Sequence, residues 1–407
     1  MSAIRSPMMS MSCASARCVR ASRIRPPRMR RVVVIVFCHH ASGTELGNAD
    51  TVRQSAAGTR RAILQPLALR VYTEIVDMKF GFTLPSYTWP DLDYEMTYRV
   101  TKEMARRAEA LGYDSLTVWD HLLTAPGLYG GSWLDPLMVL ACAAGATEKI
   151  PLGTNILVVP IRHPVLLAKE LGTLDAMSGG RFFLGVGPGW NEPEFTSMGI
   201  SMRERGRRTD EILDAVKLLL TEENVSFNGE FYQFENVTIE PRPETYFPVW
   251  VAGGSRVPGP LSPDQPYMVK SVLKRIAKHA DVFTCRASGS TEWVARDYQT
   301  VREYVASEGR DPASLELAHV QAGYVVDTAD SKKALSIQRA PMETIMGKNR
   351  DWDHLQGCYL VGSIDDIVEK LKFLESHGLQ HVTIQPAGPE MEQLDLWMEK
   401  IITPYFR

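Results

Sequence analysis

The amino-acid sequence predicts an α/β protein, a (β/α)8 barrel with insertions, preceded by an N-terminal extension. From Lys79 onward, eight short β-rich runs alternate with eight stretches of helical periodicity. A doubly wound sheet usually ends after about five or six strands. The count therefore favours a closed barrel, and we expect it to occupy residues 78–407 as one domain.

Each predicted element follows from its periodicity and its flanking residues. The first unit joins the apolar run Lys79–Leu84 to a helix at Tyr94–Leu111, which Gly112 ends. Later strands are predicted at Ser115–Asp120, Ile150–Val159, Arg181–Val186, Val249–Ala252, Val282–Cys285, Leu315–Val326 and His381–Gln385. Later helices are predicted at Asp135–Thr147, Val165–Met177, Arg205–Leu220, Met268–His279, Thr291–Glu308, Ile364–His377 and Glu392–Ile402.

Residues 1–77 differ in composition from the rest of the chain. They contain 12 Arg, no Lys and four acids, a balance of +8, and the total of -3 therefore leaves -11 for residues 78–407. The one apolar run, Val32–Cys38, is too short to span a bilayer. Two interpretations stay open, an organelle transit peptide and a disordered tail or over-long start before Met78. We favour the second and expect the barrel to fold without this segment.

Composition also excludes several classes of function. A chain with net charge -3 lacks the excess of Lys and Arg that nucleic-acid binding needs, and no segment predicts membrane insertion. The six cysteines include no CxxC pair, and no HExxH motif is present, so no metal site is predicted. We expect Cys142, Cys285 and Cys358 to be buried, as in a reducing, cytoplasmic compartment.

Candidate functional residues follow the predicted strands, where the active site of a (β/α)8 barrel is assembled. His121, with Asp120 beside it, follows the second strand and is suited to proton transfer. Glycines allow a backbone to approach a flat ligand, and a Gly-Gly-Ser turn can bind phosphate. These residues are Gly187, Gly189, Gly253, Gly254 and Ser255. By contrast, we interpret Arg203, Arg205, Arg207 and Arg208 as an exposed helix face, paired with Glu204 and Glu211.

The order of several segments resembles the bacterial luciferase-like superfamily of flavin- and deazaflavin-dependent oxidoreductases. The segments are KFGFTLP, LGYDSLTVWDH, LGTNILVVPIRHP, LDAMSGGRFFLGVGPGWNEPEF, RERGRRTDEIL, FNGEFYQF, PVWVAGGS and GSIDDIVEKLKFLESHGLQHV. Together they cover nearly all of residues 78–407. The combination is specific to the superfamily, although no single segment is.

The resemblance implies a barrel that holds the coenzyme ring at its C-terminal mouth. A cis peptide at Asn155-Ile156 would support the ring, which Gly187, Gly189 and Trp190 also approach. Gly253, Gly254, Ser255 and Arg286 would bind the phosphate. In deazaflavin members, the residue matching His121 takes part in proton transfer from the substrate hydroxyl, and a segment matching Asp327–Gly357 covers the substrate.

Two departures limit what the resemblance implies. Deazaflavin-dependent sugar-phosphate dehydrogenases carry a Glu where this chain has Trp190, and the nearest acid is Glu192. A Pro-rich loop, Arg256–Tyr267, lengthens the phosphate segment, for which Arg286 is the expected compensating charge.

The choice of coenzyme decides the predicted activity. The charge of -11 on residues 78–407 favours FMN over the polyanionic deazaflavin, although Arg256, Lys270, Lys274 and Arg275 offer a basic strip. We therefore expect a monooxygenase that uses reduced FMN from a separate flavin reductase, and oxygen, on a small organic substrate. The alternatives are a deazaflavin (coenzyme F420)-dependent hydride-transfer oxidoreductase and a flavin-binding protein without turnover. We also expect a homodimer.

Overall fold

Parallel strands close into a barrel in the computed structural model, which describes residues 78–89, 92–125, 131–255, 267–286, 289–347 and 350–407. The strands are β1 Lys79–Thr83, β2 Ser115–Val118, β3 Leu152–Thr154, β4 Leu157–Val158, β5 Phe182–Gly187, β6 Val225–Asn228, β7 Gln233–Val237, β8 Val249–Gly253, β9 Val282–Cys285, β10 Glu316–Gly323 and β11 His381–Pro386. Around the barrel the order is β1, β2, β3 with β4, β5, β8, β9, β10 and β11. The predicted (β/α)8 barrel is confirmed.

The helices pack around the barrel or cross its mouth. They are α1 Tyr94–Leu111, α2 Pro136–Ala144, α3 Pro164–Ser178, α4 Glu192–Ser197, α5 Arg205–Thr221, α6 Lys270–His279, α7 Thr291–Ser307, α8 Ser331–Met346, α9 Trp352–Cys358, α10 Ile364–Ser376, α11 Glu392–Leu396 and α12 Thr403–Phe406. A π-helical segment, Trp397–Ile402, joins the last two. The segment FNGEFYQF, residues 227–234, joins the antiparallel strands β6 and β7.

The third barrel strand is interrupted, whereas the sequence predicted one continuous strand, Ile150–Val159. A cis peptide joins Asn155 to Ile156 and separates β3 from β4, which confirms the bond that the resemblance implied. Side chains hold both halves in place. Thr154 Oγ1 donates to the carbonyl of Gly185 at 2.6 Å, and the amide of Val158 donates to Asp120 Oδ2 at 2.9 Å.

A second apolar cluster lies apart from the main core. It joins the loop after β1, with Tyr87 and Trp89, to Met342 and Met346 of α8 and Leu355 of α9. The two helices belong to the predicted insertion 327–357, which therefore packs against the loop after β1. Tyr87 strengthens this contact, because its hydroxyl donates to the carbonyl of Pro386, where β11 ends, at 2.9 Å.

The three cysteines of the described residues differ in exposure. Cys285 and Cys358 are buried as expected, but Cys142 is exposed on α2, so the prediction for Cys142 was wrong. The helical period of α2 turns this position outward, between the buried Leu140 and Ala143.

The predicted extension, residues 1–77, lies outside the described residues. Within the part of the chain that the structure describes, no helix is long and apolar enough to cross a membrane.

Two fully buried histidines make stability depend on pH. Burial lowers the pKa of His319, in β10, from 6.5 to about 4, and burial with the nearby charge of Lys79 lowers that of His381, in β11, to about 3. Below about pH 6.5 the unfolded chain therefore binds protons that the folded barrel does not, so stability falls as the pH drops towards 4.

His319→Asn should flatten this dependence. Loss of one linked proton reduces the slope of the unfolding free energy against pH, between about pH 4.5 and 6, by about 1.4 kcal/mol per unit. Denaturant unfolding at a series of pH values measures the slope. The matched control is His377→Asn, because His377 is exposed after α10 and should leave the slope unchanged. An unaltered slope in His319→Asn would contradict the assignment.

Candidate active site

A cleft of about 700 Å³ opens at the C-terminal mouth of the barrel, within the size range of small-molecule sites. The loops after β2, β5, β8 and β9 supply much of its wall, together with the first turns of α5 and α6. Its described lining residues include Trp119, Ile156, Gly187, Pro188, Gly189, Trp190, Arg203, Arg205, Ala252, Gly253, Gly254, Ser271, Arg275, Arg286, Arg350 and Tyr359.

His121 follows β2 and is buried next to Glu194, a residue of the short helix α4. Its Nδ1 lies 2.9 Å from Glu194 Oε1, which also accepts the amide of Leu123 at 3.3 Å. The side chain of Glu194 is 1 % exposed and that of His121 is 7 % exposed. The two groups therefore form a buried pair whose geometry the surrounding protein fixes.

The charge of Glu194 sets the tautomer of His121. Burial raises the pKa of Glu194, but its hydrogen bonds to the His121 ring and the Leu123 amide, with the charge of the imidazolium, hold it below its usual value. An ionised carboxylate only accepts hydrogen bonds, so the proton of a neutral His121 lies on Nδ1. Nε2 is then the nitrogen that can take a proton from a substrate hydroxyl.

Asp120 does not serve as the partner that its position beside His121 suggested. Its Oδ2 accepts from the amide of Val158 and from Arg162 Nη2, the latter at 3.2 Å. Burial raises the pKa of Asp120, against the opposing charge of Arg162. The carboxylate thus ties the end of β2 to β4, and we correct its predicted catalytic role to a positioning one.

The glycines at and after the ends of β5 and β8 are packed closely against neighbouring side chains. Gly189 has φ +71°, and a Cβ there would lie 2.7 Å from Val158 Cγ1. Gly254 has φ +147°, and a Cβ there would lie 2.9 Å from Arg286 Cγ. Neither position accepts a larger residue without strain. These glycines, with Gly187 and Gly253, line the cleft as the predicted ligand contacts require.

Ser255 is placed differently from the prediction. It is buried, its amide donates to Asp297 Oδ2 at 2.7 Å, and its hydroxyl donates to Asp297 Oδ1. Both donors are therefore committed to a carboxylate of α7, which anchors the loop after β8. The residue supports the phosphate segment from behind instead of lining the cleft.

Arginines supply the electrostatic character of the cleft. Arg203, Arg205, Arg275, Arg286 and Arg350 line it, whereas the described lining residues include no carboxylate. Arg203 is exposed, as expected, and Arg205 is half-buried; both also line the cleft, which the interpretation as a solvent-facing helix face did not include. The predicted ion pairing agrees better with Arg207 and Arg208, because Arg207 pairs with Glu230 and Arg208 pairs with Glu204.

Arg286 differs from the other cations of the cleft. Its Nη2 is buried, and no described residue accepts a hydrogen bond from it. Arg275 is buried too, but Asp210 neutralises it, with Nε to Oδ1 at 2.6 Å. Arg275 therefore adds little to the basic strip that the sequence offered, and Arg256 lies outside the described residues, as does most of the Pro-rich loop. A buried Nη2 without an acceptor among the described residues favours an anionic ligand at this atom, because a buried donor without a partner is costly.

The mouth of the barrel thus combines a buried His121–Glu194 pair with a cleft lined by several arginines. A family model described as luciferase-like monooxygenase matches residues 78–381, more than half of the chain. The chain belongs to this family and is an oxidoreductase.

The relatives of this chain include two kinds of enzyme. An F420-dependent glucose-6-phosphate dehydrogenase of Amycolatopsis mediterranei is 34% identical over 331 residues, 75% of this chain and 93% of the relative. The alkanal monooxygenase alpha chain of the Kryptophanaron alfredi symbiont is 31% identical over 180 residues, 44% of this chain and 49% of the relative. The structure of an F420-dependent secondary alcohol dehydrogenase in complex with an F420-acetone adduct superposes with a TM-score of 0.65, at 20% identity, over 81% of this chain and 99% of the other. This last likeness bears on the fold.

Sequence reasoning missed Glu194 and Asp297. Glu194 belongs to the run Asn191-Glu192-Pro193-Glu194-Phe195, where either acid could have faced His121. One available indication was helical spacing, because Glu194 and the buried Phe195 form the inner face of a six-residue helix. No local pattern marked Asp297, which lies 42 residues beyond Ser255 in the chain.

Proposed function

We propose that this protein is a deazaflavin (coenzyme F420)-dependent oxidoreductase, which moves a hydride between the coenzyme and a small organic alcohol or carbonyl compound. The observation that carries the proposal is the concentration of arginines in the cleft, without a described carboxylate among its lining residues. FMN carries a single phosphate, and few cations are needed to bind it. The deazaflavin has a phosphate and a tail of several glutamates, so it suits this surface better than FMN does.

Two features of the cleft fit such a coenzyme. The buried Nη2 of Arg286 has no hydrogen-bond acceptor among the described residues. A phosphate oxygen of the coenzyme provides such an acceptor. Gly187 and Gly189 leave a wall without side chains beside Ile156, where a flat ring can approach the backbone. When bound there, the deazaflavin ring supplies the acceptor or donor of a hydride.

The roles of the protein side chains follow from their contacts. His121 holds its Nδ1 proton on Glu194 and offers Nε2 to the hydroxyl of the substrate. Glu194 orients the ring and stabilises its protonated form. Ile156 and the glycines after β5 border the coenzyme ring, and Gly253, Gly254 and Arg286 border its phosphate. Insertion helices α8 and α9 limit the entry of water.

The relatives and the cleft both support this alternative better than the FMN monooxygenase that the charge of residues 78–407 favoured. That average charge is a poor guide, because a ligand responds to nearby cations more strongly than to distant acids. A flavin reductase partner is not needed under this proposal. A protein without turnover is also disfavoured, since the His121–Glu194 pair is intact.

Equilibrium titration under anaerobic conditions tests the proposal. We expect the purified protein to bind F420 at least 10-fold more tightly than FMN. It should also bind F420 at least 10-fold more tightly than the same deazaflavin without its phosphate and tail. Added salt should weaken the binding of F420, since exposed charges are screened. Tighter binding of reduced FMN would overturn the proposal.

A further inference from the structure

Aromatic side chains surround His121. The ring centroid of Trp133 lies 4.9 Å from that of His121, and the centroid of Trp190 lies 5.5 Å from it, with the two ring planes at 76°. Trp119 stacks on Trp133 with centroids 6.1 Å apart and an interplanar angle of 14°. Trp119 and Trp190 line the cleft. The proton-transfer group is thus set in a wall of indole rings.

The barrel topology places Trp119 opposite Arg286. Trp119 directly follows β2 and Arg286 directly follows β9, and these strands are four positions apart in a ring of eight. Trp190 follows β5, and Arg203 and Arg205 come later in the same segment, where α5 begins. The part of the cleft beside Trp119 and Trp190, which we call the aromatic end, thus lies across the barrel from Arg286 at Trp119.

On the basis of the proposed function, we propose that the substrate is a neutral compound whose alcohol or carbonyl carbon is attached to a flat apolar ring. The ring packs against Trp119 and Trp190, and the oxygen lies at His121. Aromatic surfaces gain from stacking and from excluding water. A sugar phosphate gains little there, because its hydroxyls and charge lose water without finding matching partners.

The reaction balances with the groups named. In the oxidative direction the C–H bond of the alcohol breaks, and its hydrogen leaves with both electrons as hydride to the oxidised deazaflavin. The O–H proton passes to His121, and the product is the corresponding ketone or aldehyde. The reverse reaction uses the reduced deazaflavin and a protonated His121.

Two measurements test the substrate class. Calorimetry with acetophenone and the protein alone reports binding to the aromatic end without the coenzyme. Turnover with F420 then compares 1-phenylethanol, isopropanol and glucose 6-phosphate. We expect acetophenone to bind, and kcat/KM for 1-phenylethanol to exceed that for the other two at least 10-fold. A preference for glucose 6-phosphate, or no binding of acetophenone, would overturn the inference.

Variants of Trp190 assign the effect to the ring. Trp190→Leu should lower the affinity for acetophenone at least 10-fold, and should lower kcat/KM for 1-phenylethanol at least 10-fold more than kcat/KM for isopropanol. Trp190→Phe, which keeps a ring, should restore most of the loss. Tyr405→Leu, at another exposed aromatic residue, is the matched control. Equal effects of Trp190→Leu on both alcohols would overturn the inference. Acetophenone binding without any F420 binding would instead contradict the proposed function while supporting the aromatic site.

Discussion

His121→Ala lowers turnover by about 10²- to 10⁴-fold, the loss expected when an acid–base group is removed. The affinity for F420 should change by less than about 2-fold, since the predicted coenzyme contacts lie at the other strands. Steady-state kinetics and a fluorescence titration of F420 give the two values. Unchanged turnover would make His121 a structural residue.

Variants of Glu194 and Asp120 distinguish the acid that contacts His121 from the acid that precedes it in the sequence. Glu194→Gln removes the carboxylate that accepts the Nδ1 proton of His121 and fixes its ring. We expect kcat/KM for alcohol oxidation to fall at least about 10-fold, since the ring then loses its fixed tautomer and orientation. Asp120→Asn should lower kcat/KM less and instead lower stability, because Asp120 contacts Val158 and Arg162. A loss of kcat/KM in Asp120→Asn alone would contradict the assignment of Glu194.

Arg286→Ala weakens the binding of F420 by about 10- to 100-fold, the value of a lost hydrogen bond to a charged group. Because Nη2 has no acceptor among the described residues, its removal should not lower the melting temperature. Arg286→Lys keeps the charge and should recover part of the affinity. Arg99→Ala is the matched control, since Arg99 pairs with Glu95 on an exposed face of α1. Wild-type affinity in Arg286→Ala would remove this residue from the phosphate site.

Periodicity and chain order were enough to predict the barrel from the sequence. The helix Tyr94–Leu111 and the strand Val282–Cys285 have the predicted bounds, because Gly112 and the flanking polar residues end these elements locally. The cis peptide at Asn155-Ile156 came from the resemblance, not from any propensity of its own residues. The local sequence predicted less where tertiary contacts determine the structure, as in the division of the third barrel strand into β3 and β4.

The site was only partly predictable for the same reason. Gly187, Gly189, Gly253 and Gly254 were found in the cleft lining, and His121 beside the cleft residue Trp190, because strand ends define the mouth of a barrel. The partner of His121 lies 73 residues away, and the partner of Ser255 lies 42 residues away. The net charge of residues 78–407 was a poor guide to the coenzyme. It averages over the whole surface, whereas arginines are concentrated at one cleft. The homodimer stays a prediction.

Turnover with F420 in the presence and absence of oxygen distinguishes hydride transfer from monooxygenation. Purified protein, F420 and a panel that includes isopropanol and 1-phenylethanol are mixed, and the visible absorbance of the oxidised deazaflavin is followed beside an oxygen electrode. We expect bleaching that matches ketone formed one to one, at the same rate with or without oxygen, and no enzyme-dependent oxygen uptake. Oxidation of a substrate only with reduced FMN and oxygen, without bleaching of F420, would contradict it.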